Sequence, residues 1–180
     1  MKLVGNNIYV RFLETADAEA LLDLHMRNNE FFAAFSSTRN EDFYTFEYQL
    51  KMIERGIEKK ELDQQYSFGI YLKVTEELIG NATLMEVLRG PLQSCFIGYS
   101  LDKIHNGKGY MTEAVQLVTD YAFNELHLHR IEAGVMPHNL GSIKVLEKAG
   151  YVKEGIARKN VKINGKWEDH QVLARLNPND

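Results

Sequence analysis

The chain is short of several things. It has one cysteine in 180 residues, Cys95, so no disulfide can close within it, and a reducing, cytoplasmic setting is expected. Cys95 lies inside a strand-like apolar run, where packing explains it better than a reactive thiol. No apolar stretch is long enough to cross a bilayer and the N-terminus has no apolar signal core, so no membrane partner is expected. The net charge is −4 and no dense basic stripe occurs, which argues against nucleic acid as a direct partner. No Cys/His cluster has metal-ligand spacing, so no metal is expected. His127 and His129 alternate beside Arg130 and read as surface or local packing. No repeat, linker or low-complexity segment divides the chain, and residues 1–180 read as a single domain.

What is present is ordered. Ile8, Val10 and Phe12 alternate with Tyr9 and Arg11 as a first strand, Asn7 to Phe12. Thr15 offers an N-cap for a helix whose inner face is Leu21, Leu22 and His25, fraying near Asn28. An aromatic segment follows, from Phe31 to Tyr48. Phe43, Phe46, Leu50, Ile53 and Ile57 recur at helical spacing and predict one helix from Glu41 to about Lys60. The aromatics are core, acceptor-cleft lining, or some of each. Strands are expected at Tyr66–Val74, Leu78–Val87 and Ser94–Leu101, then a helix over Met111–Leu126 with an apolar stripe. A strand at Arg130–Met136, a helix at Leu140–Ala149 stopped by Gly150, and a hairpin turning at Asn164-Gly165 complete the chain. The fold class is mixed α/β (α+β): a largely antiparallel sheet of about seven strands with a parallel portion, flanked by about four helices.

One stretch organises the rest: Asn106-Gly107-Lys108-Gly109-Tyr110-Met111-Thr112, between a strand and a helix. Free N–H groups of a first helical turn and the helix dipole favour an anion there, and closely spaced glycines let a phosphate approach bare amides. A dinucleotide fingerprint fits poorly, because Thr112 stands at the third glycine position and the preceding strands look like hairpins. A P-loop fails, because Lys103 replaces its leading glycine and Gly109, not Ser or Thr, follows Lys108. An acyl-coenzyme A pyrophosphate site remains, beside the plain alternative of a glycine turn with a capped helix.

The context decides between those two. The stretch resembles the signature of the GNAT family of N-acetyltransferases, Gln/Arg-x-x-Gly-x-Gly/Ala, with Gly109 as its key glycine, Asn106 replacing the first residue and Met111 the small last one. A second block, Asn139-Leu140-Gly141-Ser142 and then Leu146 to Tyr151, resembles the family's "N-x-x-S … E-K-x-G-F/Y" segment. Arg11-Phe12-Leu13, Gly98-Tyr99, Glu113-Ala114 and Glu154-Gly155 look most like the ribosomal-protein N-terminal acetyltransferase (Rim-type) subgroup.

The resemblance implies an acetyl-coenzyme A-dependent N-acetyltransferase. Its acceptor would be the α-amine of a protein or peptide N-terminus, such as a ribosomal protein. A small amine (polyamine, antibiotic or metabolite) and a non-catalytic acyl-coenzyme A-binding module are the alternatives. By analogy, the N–H groups of Gly107, Lys108, Gly109, Tyr110, Met111 and Thr112 take the pyrophosphate, and Leu101 pairs with the pantetheine arm in a wedge between the family's fourth and fifth strands. Asn106, Asn139 and Ser142 complete the cofactor contacts. Met111 puts a bulky side chain beside the loop. Ser142 is the candidate acid for the leaving thiolate, with helix capping by Asn139 and Ser142 as the structural alternative. The base position of related enzymes falls at Val161, which cannot serve; Glu14 and Glu86 are loose substitutes, and a water relay suits an α-amine of pKa about 7.7–8.0. Members often pair, so a homodimer through the C-terminal hairpin is a further expectation.

Overall fold

The structure, a computed structural model, describes residues 1–180. In chain order it runs β1 (Lys2–Val4), β2 (Ile8–Phe12), α1 (Ala18–Arg27), α2 (Asn29–Ala33), α3 (Phe46–Glu61), β3 (Gln65–Leu72), β4 (Leu78–Leu88), β5 (Ser94–Leu101), α4 (Tyr110–Asn124), β6 (Arg130–Val135), α5 (Leu140–Lys148), β7 (Val152–Ile163) and β8 (Lys166–Leu176). The strands form one open sheet of eight, ordered β1-β2-β3-β4-β5-β6-β8-β7. The mixed α/β class holds, with one more strand and one more α-helix than expected. β1 is three residues long and α2 five, too short for either periodicity to show.

Two sequence expectations need correction. Thr15 does not cap the first helix. Glu14 and Asp17 cap a 3-10 turn, Thr15–Asp17, reciprocally, and the Asp17 carboxylate accepts the Glu14 N–H at 2.8 Å. Arg11 fixes Asp17 with two further bonds, at 2.7 and 2.8 Å. The helix expected over Glu41 to Lys60 is also two pieces. Asn40 caps a 3-10 turn at Glu41–Tyr44, the chain extends at Thr45, and Thr45 Oγ1 accepts the Tyr48 N–H to start α3. Helical spacing ran through the break because Phe43 and Ile53, on either side of it, are both buried.

The helices cover both faces. α4 and α5 pack on one side over the main core, where Met111, Ala114, Val115, Val118 and Ala122 of α4 meet Phe68, Ile70 and Leu84 of the sheet. Full burial of a Val, Leu, Ile, Phe or Met side chain of this set contributes roughly 1.5–3 kcal/mol. α1 and α3 close the other side around Leu21, Leu24, Ile53 and Tyr71.

The sheet changes character at its centre. β3, β4 and β5 are antiparallel neighbours, with register Thr83↔Gly98 and Gly80↔Leu101. At Gly80 a Cβ would sit 2.5 Å from the Ser100 carbonyl oxygen, so only glycine allows that approach. β5 and β6 are parallel but pair only at Ser94↔Arg130, Cys95↔Ile131 and Phe96↔Glu132. Beyond Phe96 the two strands part, and Ile97–Leu101 keep β4 on one side with no strand on the other.

Candidate active site

A cavity of about 1040 Å³ opens where β5 and β6 diverge. Its first wall is the glycine stretch. Gly107 and Gly109 have φ of 76° and 81°, a left-handed backbone that costs other residues about 1–2 kcal/mol. Gly109 is the N-cap of α4, so the first intrahelical bond runs from the Glu113 N–H to the Gly109 carbonyl at 3.1 Å. No N–H from Gly107 to Thr112 donates to a backbone carbonyl. Added Cβ atoms at Gly107 and Gly109 would meet nothing within 4 Å. Free amides, an open approach and the positive end of a 15-residue helix make a cradle for an anion. Met111 is 6% exposed and packs in the main core, although it also borders the cavity.

The cradle is anchored from α1. Arg27 Nε donates to Asp102 Oδ2 at 2.6 Å, Asn28 Oδ1 accepts the Lys103 N–H at 2.9 Å, and Asp102 Oδ1 accepts the Ile104 N–H at 3.3 Å. Burial alone would raise the Asp102 carboxyl; the bonds from Arg27 and the Ile104 N–H, with the Asn28 amide beside them, outweigh it and hold the group below the usual carboxylate range. Arg27, Asn28 and Asp102 carry no motif, and only the tertiary contact reveals them.

The second wall is the start of α5. Asn139 Oδ1 accepts the Ser142 N–H at 3.2 Å, so Asn139 is the N-cap and lines the cavity as well. Ser142 Oγ lies 2.7 Å from the Tyr99 hydroxyl, with either able to donate, and Tyr99 is also 3.3 Å from the Ser142 carbonyl oxygen. The α5 segment supplies no tyrosine ahead of Tyr151, but β5 supplies Tyr99 across the wedge. Burial pushes the Tyr99 phenol up to about 12, against an opposing pull from the Ser142 bond. Of the residues assigned to the cofactor, Leu101, Asn106, Gly107, Gly109, Tyr110, Met111, Thr112, Asn139 and Ser142 line this one cavity, whereas the Lys108 side chain is exposed outside it.

Aromatic residues close the far end. Phe31, Phe32, Phe35, Phe43 and Tyr44 line the cavity; Phe46 and Tyr48 do not. Residues 34–45 pass over it as a strap, held at two points. Phe35 lies 5.7 Å from His138, and the Thr38 N–H donates to Asn164 Oδ1 of the β7–β8 turn at 2.7 Å. A smaller cavity of about 210 Å³ lies beneath α1 and α3. Its polar floor is Ser67, Asn81 and Thr83, with Ser100 Oγ donating to Asn81 Oδ1 at 2.7 Å alongside.

No Asp or Glu lines either cavity. Glu86 is exposed at a bulge of β4, Glu14 caps its turn, and Val161 is opposite Glu168 on the hairpin. His25 lines both cavities, and burial, with Arg39 nearby, pushes its imidazole down to about 4, so it is neutral at pH 7. Cys95 is buried away from the cavity, its thiol pushed up to about 12 by burial, and it is inert packing.

Strands that part beside a glycine-capped helix define a class. Residues 7–152 match the acetyltransferase (GNAT) domain, and the chain belongs to that family. It is an N-acetyltransferase. A probable N-acetyltransferase of Bacillus subtilis (strain 168), YjcK, is 62% identical over 178 residues, 99% of this chain and 98% of that protein. The [ribosomal protein uS5]-alanine N-acetyltransferase of Escherichia coli is 33% identical over 181 residues, 99% of this chain and 92% of the relative. Among solved structures, the ribosomal-protein-S5-alanine acetyltransferase of Vibrio fischeri superposes with a TM-score of 0.93 at 32% identity, covering 99% and 97% of the two chains. RimJ of Mycobacterium smegmatis, in complex with CoA-disulfide, superposes at 0.88 with 25% identity, covering 94% and 81%.

Proposed function

We propose that the protein transfers an acetyl group from acetyl-coenzyme A to the α-amine of a protein or peptide N-terminus. The observation that carries this is the wedge itself: an amide-lined anion cradle at one end, a free strand edge along it, and a Tyr99–Ser142 hydroxyl pair facing it. The full-length likeness to the two ribosomal-protein-alanine acetyltransferases supports an N-terminal acceptor. The N–H groups of Gly107–Thr112 would hold the pyrophosphate, with Asn106 and Lys108 beside it, and the free edge at Leu101 would pair with the pantetheine arm. Asn139 would shape the wall near the sulfur.

The neutral amine attacks the thioester carbonyl carbon. A C–N bond forms, the C–S bond breaks, the nitrogen loses one proton, and the thiolate gains one. Moving a proton fully from a phenol at about 12 to a thiolate near 8.5 is uphill by about 5 kcal/mol. Ser142, backed by Tyr99, therefore stabilises the leaving sulfur by donating a hydrogen bond. The proton that neutralises the thiolate comes by way of water from the far more acidic amine adduct. His25, near 4, is too weak a base to hold a proton taken from an amine of pKa about 7.7–8.0. The amine enters neutral or loses its proton to water.

Incubating the protein with acetyl-coenzyme A and a library of peptides with free N-termini, and reading thiol release, tests the proposal. Acetylated peptide α-amines are expected. Coenzyme A binding without transfer to any amine would overturn it.

A further inference from the structure

We propose that Arg39 is an acceptor-specificity residue, and that the preferred acceptor carries a carboxylate close behind its amine. This rests on the reading of the cavity as an acetyl-transfer site. Five residues belong to both cavities: His25, Arg39, Phe43, Asn81 and Thr83. They mark a junction, and the smaller cavity beyond it includes no residue of the glycine stretch or of α5. Arg39 thus stands at the end of the wedge away from the anion cradle, where an acceptor rather than a nucleotide would lie.

Arg39 is held but not neutralised. Its guanidinium lies over the Phe43 ring, 4.9 Å from the centroid, and Phe43 is buried, so the stack orients the planar group. No ion pair includes it, in a chain with 25 Asp and Glu. The charged side chains lining the two cavities are Arg39, Lys60, Lys144 and Lys148, all cationic. A polyamine entering this space would meet like charge and no counter-ion. A guanidinium with free donors is instead matched to a carboxylate, which it can take in two parallel bonds. The polar floor of Ser67, Asn81 and Thr83 suits the amides of a peptide following the acetylated residue. The carboxylate has two sources, an acidic side chain early in a protein N-terminus or the α-carboxylate of a free amino acid.

The test compares KM for Ala-Ala-Ala, Ala-Asp-Ala, Ala-Ala-Asp and Ala-Lys-Ala amides, with free glutamate and spermidine alongside. Each is measured in the native protein, in Arg39→Gln and in Arg39→Glu. In the native protein one acidic peptide is expected to have a KM lower than the neutral peptide by roughly tenfold, the scale of a charge-assisted bidentate pair. Arg39→Gln should bring that ratio to near one, and Arg39→Glu should turn it in favour of the lysine peptide. The ratio within each variant is the readout, so a general loss of folded protein does not imitate the effect. Equal KM values for acidic and neutral peptides, or an advantage that survives Arg39→Gln, would overturn the inference while leaving peptide acetylation standing. An Arg39-dependent preference for free glutamate, with no peptide used, would support the carboxylate and overturn the protein acceptor. Acetylation of spermidine alone, or of nothing, would overturn both.

Discussion

At the scale of single residues, the proposed chemistry rests on the Tyr99–Ser142 pair, whose hydroxyls lie 2.7 Å apart. If Ser142 is the proposed hydrogen-bond donor to the leaving sulfur, Ser142→Ala should lower kcat by about 10²-fold, the lower end of what one positioned donor to a developing anion contributes. Coenzyme A affinity, measured by calorimetry, should change little. Tyr99→Phe keeps the packing and removes the contacts to Ser142 Oγ and to the Ser142 carbonyl, so its loss of kcat should be smaller and should shrink in the Ser142→Ala background, where only the backbone contact remains to be lost. A second expectation concerns pH. Tyr99 near 12 and His25 near 4 both titrate outside the physiological range. Neither changes charge between about pH 5 and 10, so neither should shape the rate profile there. The remaining limb is the acceptor's: its amine gains reactivity as it deprotonates, and kcat/KM should rise with pH through a midpoint near 8 to a plateau above about 9. A further limb near pH 6 in the profile of kcat/KM would show that a cavity base has been overlooked.

At the scale of elements, the strand–turn–helix unit at Asn106–Thr112 is the critical one. Gly109→Ala fits spatially but forces alanine to φ near 81°. The change should weaken coenzyme A binding by roughly tenfold while lowering stability by only about 1–2 kcal/mol, as read by calorimetry and urea unfolding. This unit was legible from sequence, because glycines and a helix start act locally. The expected boundaries of β5 and α5 also stand close to those observed, because their signals are alternation and a stopping glycine. The strap was less legible. The helical spacing of Phe43 and Phe46 concealed a break, since what ends the first turn is the extended conformation of Thr45 and what holds the strap is Asn164, more than a hundred residues away. The aromatic segment announced a cleft or a core without saying which ring served which. Phe43 does both, being buried and also lining the cavities.

At the scale of the molecule, α4 supplies both the anion cradle and part of the main core, so ligand binding and folding are linked. Coenzyme A at a hundred times its dissociation constant should add about 2.7 kcal/mol to the folded state. A thermal melt should therefore move upward with coenzyme A and stay in place with NAD; a shift with NAD would point to a dinucleotide site instead. The eight-strand order was only partly readable. Seven of the strands follow from their own patterns and the three-residue β1 does not, whereas the placement of β8 between β6 and β7 depends on contacts between distant segments. The Tyr99–Ser142 pair was missed for the same reason: 43 positions separate its members, and only the divergence of β5 from β6 lets one reach the other.

That divergence has a consequence for measurement. β5 and β6 share only three register pairs, so the edge of β5 beyond Phe96 stands open although one core spans both halves of the sheet. Strand-edge amides along Ile97–Leu101 that face the gap have no neighbouring strand to protect them. In deuterated water they form a row of built-in reporters within an otherwise slowly exchanging core. Anything that lies along the strand edge will slow them in order of its reach, so the pattern of protection gives the length and depth of the occupant without any label attached to it.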